Sequence, residues 1–358
     1  MNNSPASSTD GQIPVKQSDE EGTRLPTGER LSHFLALGLL TAIVLLSAAL
    51  SIRFGSVQLP WNRVARLLME RDTQSLEARI FLYVRLPRTA ACLCTGAGLA
   101  VSGAVIQSVL ENPLAAPGLI GVNQGAGLAA AVCGVLFPGA AAWMPLAAFV
   151  GALAGAFLVL LIGESTGASR LSVILSGVAV SAVFSGLIDL IITIAPDALP
   201  AWSSFRVGGF SGVSMSRVLP ACAVTAAAII LVLALTPQLD VLALGQETAQ
   251  ALGLQVRPVR LALLALAAAL SGAAVSVCGL LGFVGLMVPH AMRRFSHGES
   301  FPLILFSALG GGAFVTLCDL LGRVLAAPYE LPAGVILSLL GGPFFLWLIL
   351  CRRGLRHA

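Results

Sequence analysis

Four histidines, seven cysteines and a single lysine are the side chains that could support metal, nucleophilic or phosphate chemistry in this 358-residue chain. A Walker A loop needs a lysine behind its glycines to reach the β- and γ-phosphates. The one lysine, Lys16, follows no such loop, so the polypeptide is not an ATPase of that type. Gly96-x-Gly98 and Gly121-x-x-x-Gly125-x-Gly127 lack dinucleotide-binding spacing; with Gly151-x-x-x-Gly155 they suit close helix packing instead. His33, His290, His297 and His357 make no metal cluster by spacing. Cys92, Cys94, Cys133, Cys222, Cys278, Cys318 and Cys351 lie in or at the edge of apolar runs without zinc spacing and read as small packing residues. No catalytic residue, metal site or bound cofactor is expected.

Charged groups inside the apolar runs are few. Asp189 sits toward the outer end of its run, and Asp319 and Arg323, four apart, can pair along one helix face. Proton-coupled carriers usually bury several acids near the bilayer midplane. This pattern fits better a transporter energised by a separate protein, with an ion-coupled secondary carrier as the alternative.

The elements that must position these residues are membrane helices. The chain is 57% apolar and 11% charged, far from the ~25% charged residues of a soluble domain, and its apolar content supplies about ten spans at ~20 residues each. Residues 1–30 are polar and read as a disordered cytoplasmic tail without the layout of a signal peptide. Apolar runs then cover 31–52, 89–110, 112–163, 171–194, 218–239, 261–292, 300–318 and 331–351. The 52-residue run divides at Pro138-Gly139 through Pro145. The run 261–292 has Arg257 and Arg260 before it and Arg293 and Arg294 after it. Since cytoplasmic loops collect Arg and Lys, both pairs lie inside only if the chain crosses twice, turning near Gly279-Leu280-Leu281-Gly282. The expected fold is thus all-α and polytopic, a permease domain over 31–351 with about ten transmembrane helices, both termini cytoplasmic and a short C-terminal tail at 352–358.

Residues 53–88 break the charge rule: they would be external yet carry Arg53, Arg63, Arg66, Arg71, Arg79, Arg85 and Arg88. Val64, Leu67 and Leu68 have helical spacing there, an amphipathic surface piece. Two readings stand side by side, arginines snorkelling at the lipid interface or a positive docking surface for an acidic external partner. The net charge of +4 is small and its arginines are scattered, which speaks against nucleic acid. On the cytoplasmic side, the loop 237–258 contains Leu244 to Leu254, with Gly245 and Gly253 bracketing a short helix and Gly253 suited to its C-terminal cap. Ala249 and Leu252 are expected to share a small apolar face that could enter a partner's groove; the plainer reading is a loop helix lying on the membrane.

Three stretches together resemble the FecCD-type permease subunits of ABC importers for iron–siderophores, haem and cobalamin. The first runs from Arg85-Leu86-Pro87-Arg88 through Gly96, Gly98, Ser102, Gly103 and Gln107 to Asn112-Pro113-Leu114-Ala115, Pro117, Gly118 and Gly121. The second is the Leu244–Leu254 loop. The third is Gly282 to His290 with Arg293 and Arg294, continuing through Asp319, Arg323, Glu330-Leu331-Pro332, Gly334 and Gly341 to Phe345. The similarity extends from about residue 34 to 350.

The resemblance implies the type II ABC importer permease fold, with helices two to five and seven to ten related as an inverted repeat. It implies two permease subunits, foremost a homodimer, two cytoplasmic ATPases that carry ATP and Mg, and a periplasmic binding protein that delivers the substrate. Arg85, Arg88 and Arg323 would then face outward and pair with glutamates of the binding protein. The loop with Leu244, Gly245, Glu247, Ala249, Leu252 and Gly253 would seat in a cleft of the ATPase. The translocation path would run along 171–194, with Ser172, Ser176 and Ser181 as lining residues; helix packing is their other reading. The cargo implied is a ferric chelate, foremost a ferric siderophore, with haem or cobalamin as alternatives, moved across a bacterial inner membrane.

Overall fold

The computed structural model describes residues 27–55, 75–137, 139, 142–166 and 170–354. The amphipathic piece around Val64 and most of the 1–30 tail lie outside the described residues. Among those described, every regular element is helical. We number thirteen: α1 Thr27–Arg53, α2 Leu76–Val109, α3 Val122–Leu136, α4 Met144–Ser165, α5 Arg170–Ile194, α6 Leu199–Val207, α7 Met215–Ala234, α8 Thr236–Ala243, α9 Gln246–Ala251, α10 Val256–Cys278, α11 Val284–Met292, α12 Ser300–Leu325 and α13 Ala333–Gly354.

The long apolar run does divide at Pro138 to Pro145, giving α3 and α4. The run 261–292 breaks where the charge argument places the turn: α10 stops at Cys278, Gly279 takes φ +73°, and α11 begins at Val284. Yet α11 has nine residues, about 14 Å of helix against ~30 Å of hydrocarbon. Seven described helices are long and apolar enough to cross a membrane (α1, α2, α4, α5, α7, α10 and α12), while α3 and the apolar part of α13 are shorter. Ten helices of full spanning length are therefore not seen.

α2 is the centre of the bundle: 78% of its apolar window is buried, against 11% for α1 at the periphery. Lipid tails are as apolar as leucine, so helices associate here by van der Waals fit and small residues rather than by escape from water. The contacts show it. A Cβ added at Gly96 would lie 2.1 Å from the Gly311 carbonyl oxygen, and one at Gly103 would lie 1.9 Å from that of Gly285. These glycines let α2 touch α12 and α11 backbone to backbone. Cys92, Cys278 and Cys318 fill a neighbouring apolar cluster with Leu99, Phe210 and Leu337.

α2 begins irregularly. Over Phe81–Arg85 the chain makes a widened π turn in which the Leu86 N–H reaches the Phe81 carbonyl. Pro87 supplies a cause: it has no N–H to give the carbonyl four residues back, and its ring crowds that carbonyl. Such turns recur at functional positions, and this one carries Arg85 into the next turn, where Arg88 follows.

Polar groups collect at two ends of the bundle. At one end meet the close of α1, the start of α2 and the close of α12. At the other lie the start of α1, the close of α4, α8, α9 and the starts of α10 and α12: His33 Nε2 is 3.2 Å from His297 Nδ1 and Asp240 accepts from the Ser300 N–H at 2.9 Å. We call the second the α8–α9 end. Both the first residues of α1 and the last of α13 point to it, because α13 starts beside Gly208 at the opposite end.

Candidate functional site

At the end opposite α8 and α9, five charged side chains form a cluster, four of them buried (Arg85, Arg88, Asp319 and Arg323) and one, Glu330, part-exposed. Arg88 is shared between two carboxylates: its Nε and Nη2 donate to both carboxylate oxygens of Asp319 at 2.9–3.2 Å, and its Nη1 donates to Glu330 Oε2 at 2.7 Å. Arg323, one turn beyond Asp319, places Nε 3.1 Å from Asp319 Oδ2, an ion pair off the hydrogen-bond direction. Its Nη1 and Nη2 donate to the carbonyls of Ser51 and Phe54 and to Ser51 Oγ. Arg85 donates from Nη1 to the carbonyls of Ile52 and Arg53. Burial of such charges costs less when each is paired and hydrogen-bonded, and the cluster pins the end of α1 to α2 and α12.

The three arginines expected at the docking surface lie together at this end, with their donors turned into the chain. Arg85, Arg88 and Arg323 retain 4%, 6% and 4% of their exposure and spend donors internally. The reason is the carboxylate of Asp319 and the carbonyls at the close of α1, which offer acceptors that solvent would otherwise provide. The cluster comes closest to the surface at Glu330, on the connection between α12 and α13. Burial pushes the Glu330 carboxyl up, but the hydrogen bond and charge of Arg88, with the charge of Arg323 and the Ser211 hydroxyl, hold it below its ordinary value. Ser51 and Glu330 are the members sequence reasoning gave no role. Ser51 carries no signal of its own, whereas Glu330 belongs to the Glu330-Leu331-Pro332 motif.

At the α8–α9 end, the two short helices form a bracket. Gly245, at φ +100°, turns the chain between them. α9 closes in a Schellman arrangement: the Leu254 N–H reaches the Ala249 carbonyl at 3.0 Å, the Gly253 N–H reaches that of Gln250 at 2.9 Å, and Gly253 takes φ +82°. That is the capping role expected of Gly253. Arg260 holds Gln246 at 3.0 Å and Arg257 pairs with Glu164 at the end of α4. The expected shared face of Ala249 and Leu252 is not formed. Ala249 is fully buried in this chain's own core, since it points down onto the bundle, and Leu252 is instead exposed together with Leu244, at 64% and 61%. Glu247 lies exposed on the same short helix.

On α5, Ser176 is buried and Ser172 and Ser181 are half-buried. Ser172 donates to the Thr166 carbonyl at 3.3 Å, and the Ser181 hydroxyl is buried without a partner. Gly177, beside Ser176, abuts the Leu119 carbonyl: a Cβ there would lie 1.7 Å from it. The open face of α5 is a stripe through Leu175, Val178, Ala182, Gly186 and Leu190. The helix thus turns the three serines to its packed side or its margin. His33 and His297 meet, but the described residues hold no group of three or more metal-ligating side chains.

Residues 42–351 match the FecCD transport family. The chain belongs to that family. It is 36% identical over 330 residues to the hemin transport system permease protein HmuU of Yersinia pestis, covering 90% of this chain and 98% of that one. It is 35% identical over 307 residues to the Fe(3+) dicitrate transport system permease protein FecD of Escherichia coli (strain K12), covering 86% and 95%. Among solved structures, a metal-chelate type ABC transporter in an inward-facing conformation superposes with a TM-score of 0.77 at 28% identity, over 88% of this chain and 99% of that one. PsaBC from Streptococcus pneumoniae shares the fold, with a TM-score of 0.53 at 21% identity. The chain is accordingly a multi-pass membrane permease component of an ABC transport system and not an enzyme.

Proposed function

We propose that this permease carries a ferric chelate, foremost a ferric siderophore, from the periplasm to the cytoplasm across a bacterial inner membrane. The observation that carries the reading is the family match over nearly the whole chain, joined to relatives named for transport of hemin and of Fe(3+) dicitrate. Haem is the second reading, favoured by the 36% identity to the hemin permease. The working assembly in this reading is a homodimer of this chain, a pair of ATPases holding ATP and Mg, and an external binding protein, with both termini cytoplasmic.

The exposed Leu244 and Leu252 seat in a groove of the ATPase. Supporting this, α9 is tied to α10 through Arg260 and Gln246, and α8 to α12 through Asp240, so force on the bracket reaches two spans. Closure of the ATPases then favours one of two arrangements of the helices through contacts that differ between them. The open apolar stripe on α5, with Ser172 and Ser181 at its margin, faces the path between the two subunits, where weakly polar walls suit a bulky cargo. At the other end, Arg85, Arg88 and Arg323 serve docking of the binding protein, Arg88 through the surface-reaching side of the cluster and the other two by holding its shape.

The test is reconstitution of the permease with its ATPase and binding protein in vesicles, followed by uptake of a panel of ferric siderophores, ferric citrate, haem and cobalamin. ATP-dependent accumulation of a ferric siderophore is expected. Accumulation of haem alone moves the assignment to the second reading, and solute uptake driven by a proton or sodium gradient without the ATPase overturns both.

A further inference from the structure

We infer that Glu330 is an exchangeable carboxylate, occupying the one donor of Arg88 that an acidic side chain of the external binding protein takes on docking. The inference rests on the docking reading above and adds what must leave when the partner arrives.

The two acids on Arg88 are held differently. Asp319 is completely buried and takes both Nε and Nη2, so reaching it from outside would require parting α2 from α12. Glu330 takes only Nη1, from a connection rather than a helix, and a third of its side chain is exposed. Its second contact is long, 3.4 Å from the Ser211 hydroxyl. Arg85 and Arg323 direct donors at the backbone carbonyls closing α1 and act as positioning residues. Arg88 Nη1 therefore combines a fixed cation, an approach from the surface and a counter-ion of the same chemical kind as the arriving group. Two carboxylates crowded on one site repel, so the arriving one expels Glu330.

Release has a direction. Leu331, next in the chain, donates its N–H to the Gly322 carbonyl at 3.1 Å, and Gly334 donates to the Gly208 carbonyl at 3.2 Å. The connection that carries Glu330 thus ties the last turn of α12 to the segment after α6 and to the start of α13. Withdrawing the Glu330 side chain frees the segment just before these two backbone ties, so docking on Arg88 is felt where the segment after α6 meets the start of α13.

The experiment measures binding of the external protein to the assembled permease–ATPase complex in lipid nanodiscs. Glu330→Gln keeps the shape and removes the competing charge, and Glu330→Ala removes the side chain. Both should tighten binding up to about fivefold, the scale of one competing surface ion pair. The gain should vanish when the acidic surface residues of the binding protein are neutralised. Unchanged or weaker binding by both variants overturns the exchange, as does a gain that survives neutralisation, while wild-type binding leaves the docking reading standing. No measurable association of the wild-type complex with its binding protein defeats the docking reading itself.

Discussion

Arg88 grips Asp319 with two nitrogens, Nε to Oδ2 at 3.0 Å and Nη2 to Oδ1 at 2.9 Å, joining the start of α2 to the end of α12 where both are buried. Asp319 also faces Arg323, so one carboxylate serves two cations inside the bundle. Removing one partner of a buried pair leaves an uncompensated charge and costs about 3–5 kcal/mol. Asp319→Asn should therefore lower unfolding stability in detergent by that amount and more than Glu330→Gln does. Equal, small losses for the two variants would mean that the cluster is hydrated and contributes little.

Gly96 and Gly311 should tolerate no side chain. With a Cβ at Gly96 placed 2.1 Å from the Gly311 carbonyl, Gly96→Ala has to push α2 and α12 apart. Overpacking of this kind costs about 1–3 kcal/mol, readable as a lowered thermal midpoint of the solubilised protein. Gly38→Ala, where nothing lies within 4 Å, is the control and should leave the midpoint in place.

Leu252→Glu and Leu244→Glu separate folding from coupling. Both side chains are exposed, and surface changes of this sort stay within about ±0.5 kcal/mol of stability. Co-purification with the ATPase, or substrate-stimulated ATP hydrolysis, should nonetheless fall sharply. Ala249→Leu should do the reverse and harm the fold, because Ala249 is packed in the core. Normal coupling in both leucine variants would remove Leu244 and Leu252, the residues flanking α9, from the ATPase contact.

The Glu330 contact should fade in acid. The groups facing its carboxylate are Arg88, Arg323 and Ser211, with the Asp319 carboxylate on the far side of Arg88. They lower the folded pKa, so the stabilisation is present above the ordinary glutamate value of about 4.3 and is lost as pH falls through the lower folded value. Hydrogen exchange along residues 326–332 should therefore rise below about pH 4, and Glu330→Gln should show raised exchange already at neutral pH. Protection unchanged by either would place Glu330 outside the cluster in solution.

Much of this architecture follows from sequence patterning alone. Apolar run length sets where helices lie, and a proline–glycine break at 138–145 or an arginine pair on both sides of 261–292 divides them, because backbone punctuation and charge placement act locally. The Gly253 cap was legible for the same reason, a left-handed residue being needed wherever a helix ends in that way. Which way a side chain points was not. That Ala249 packs inward while Leu244 joins Leu252 depends on how α9 lies on the bundle. That Arg85, Arg88 and Arg323 turn inside depends on Asp319, Glu330 and the carbonyls of Ile52, Arg53, Ser51 and Phe54, partners up to 272 residues away. An arginine in an apolar run signals a charge that must be satisfied; only the packed bundle decides whether water, a partner protein or a distant carboxylate satisfies it.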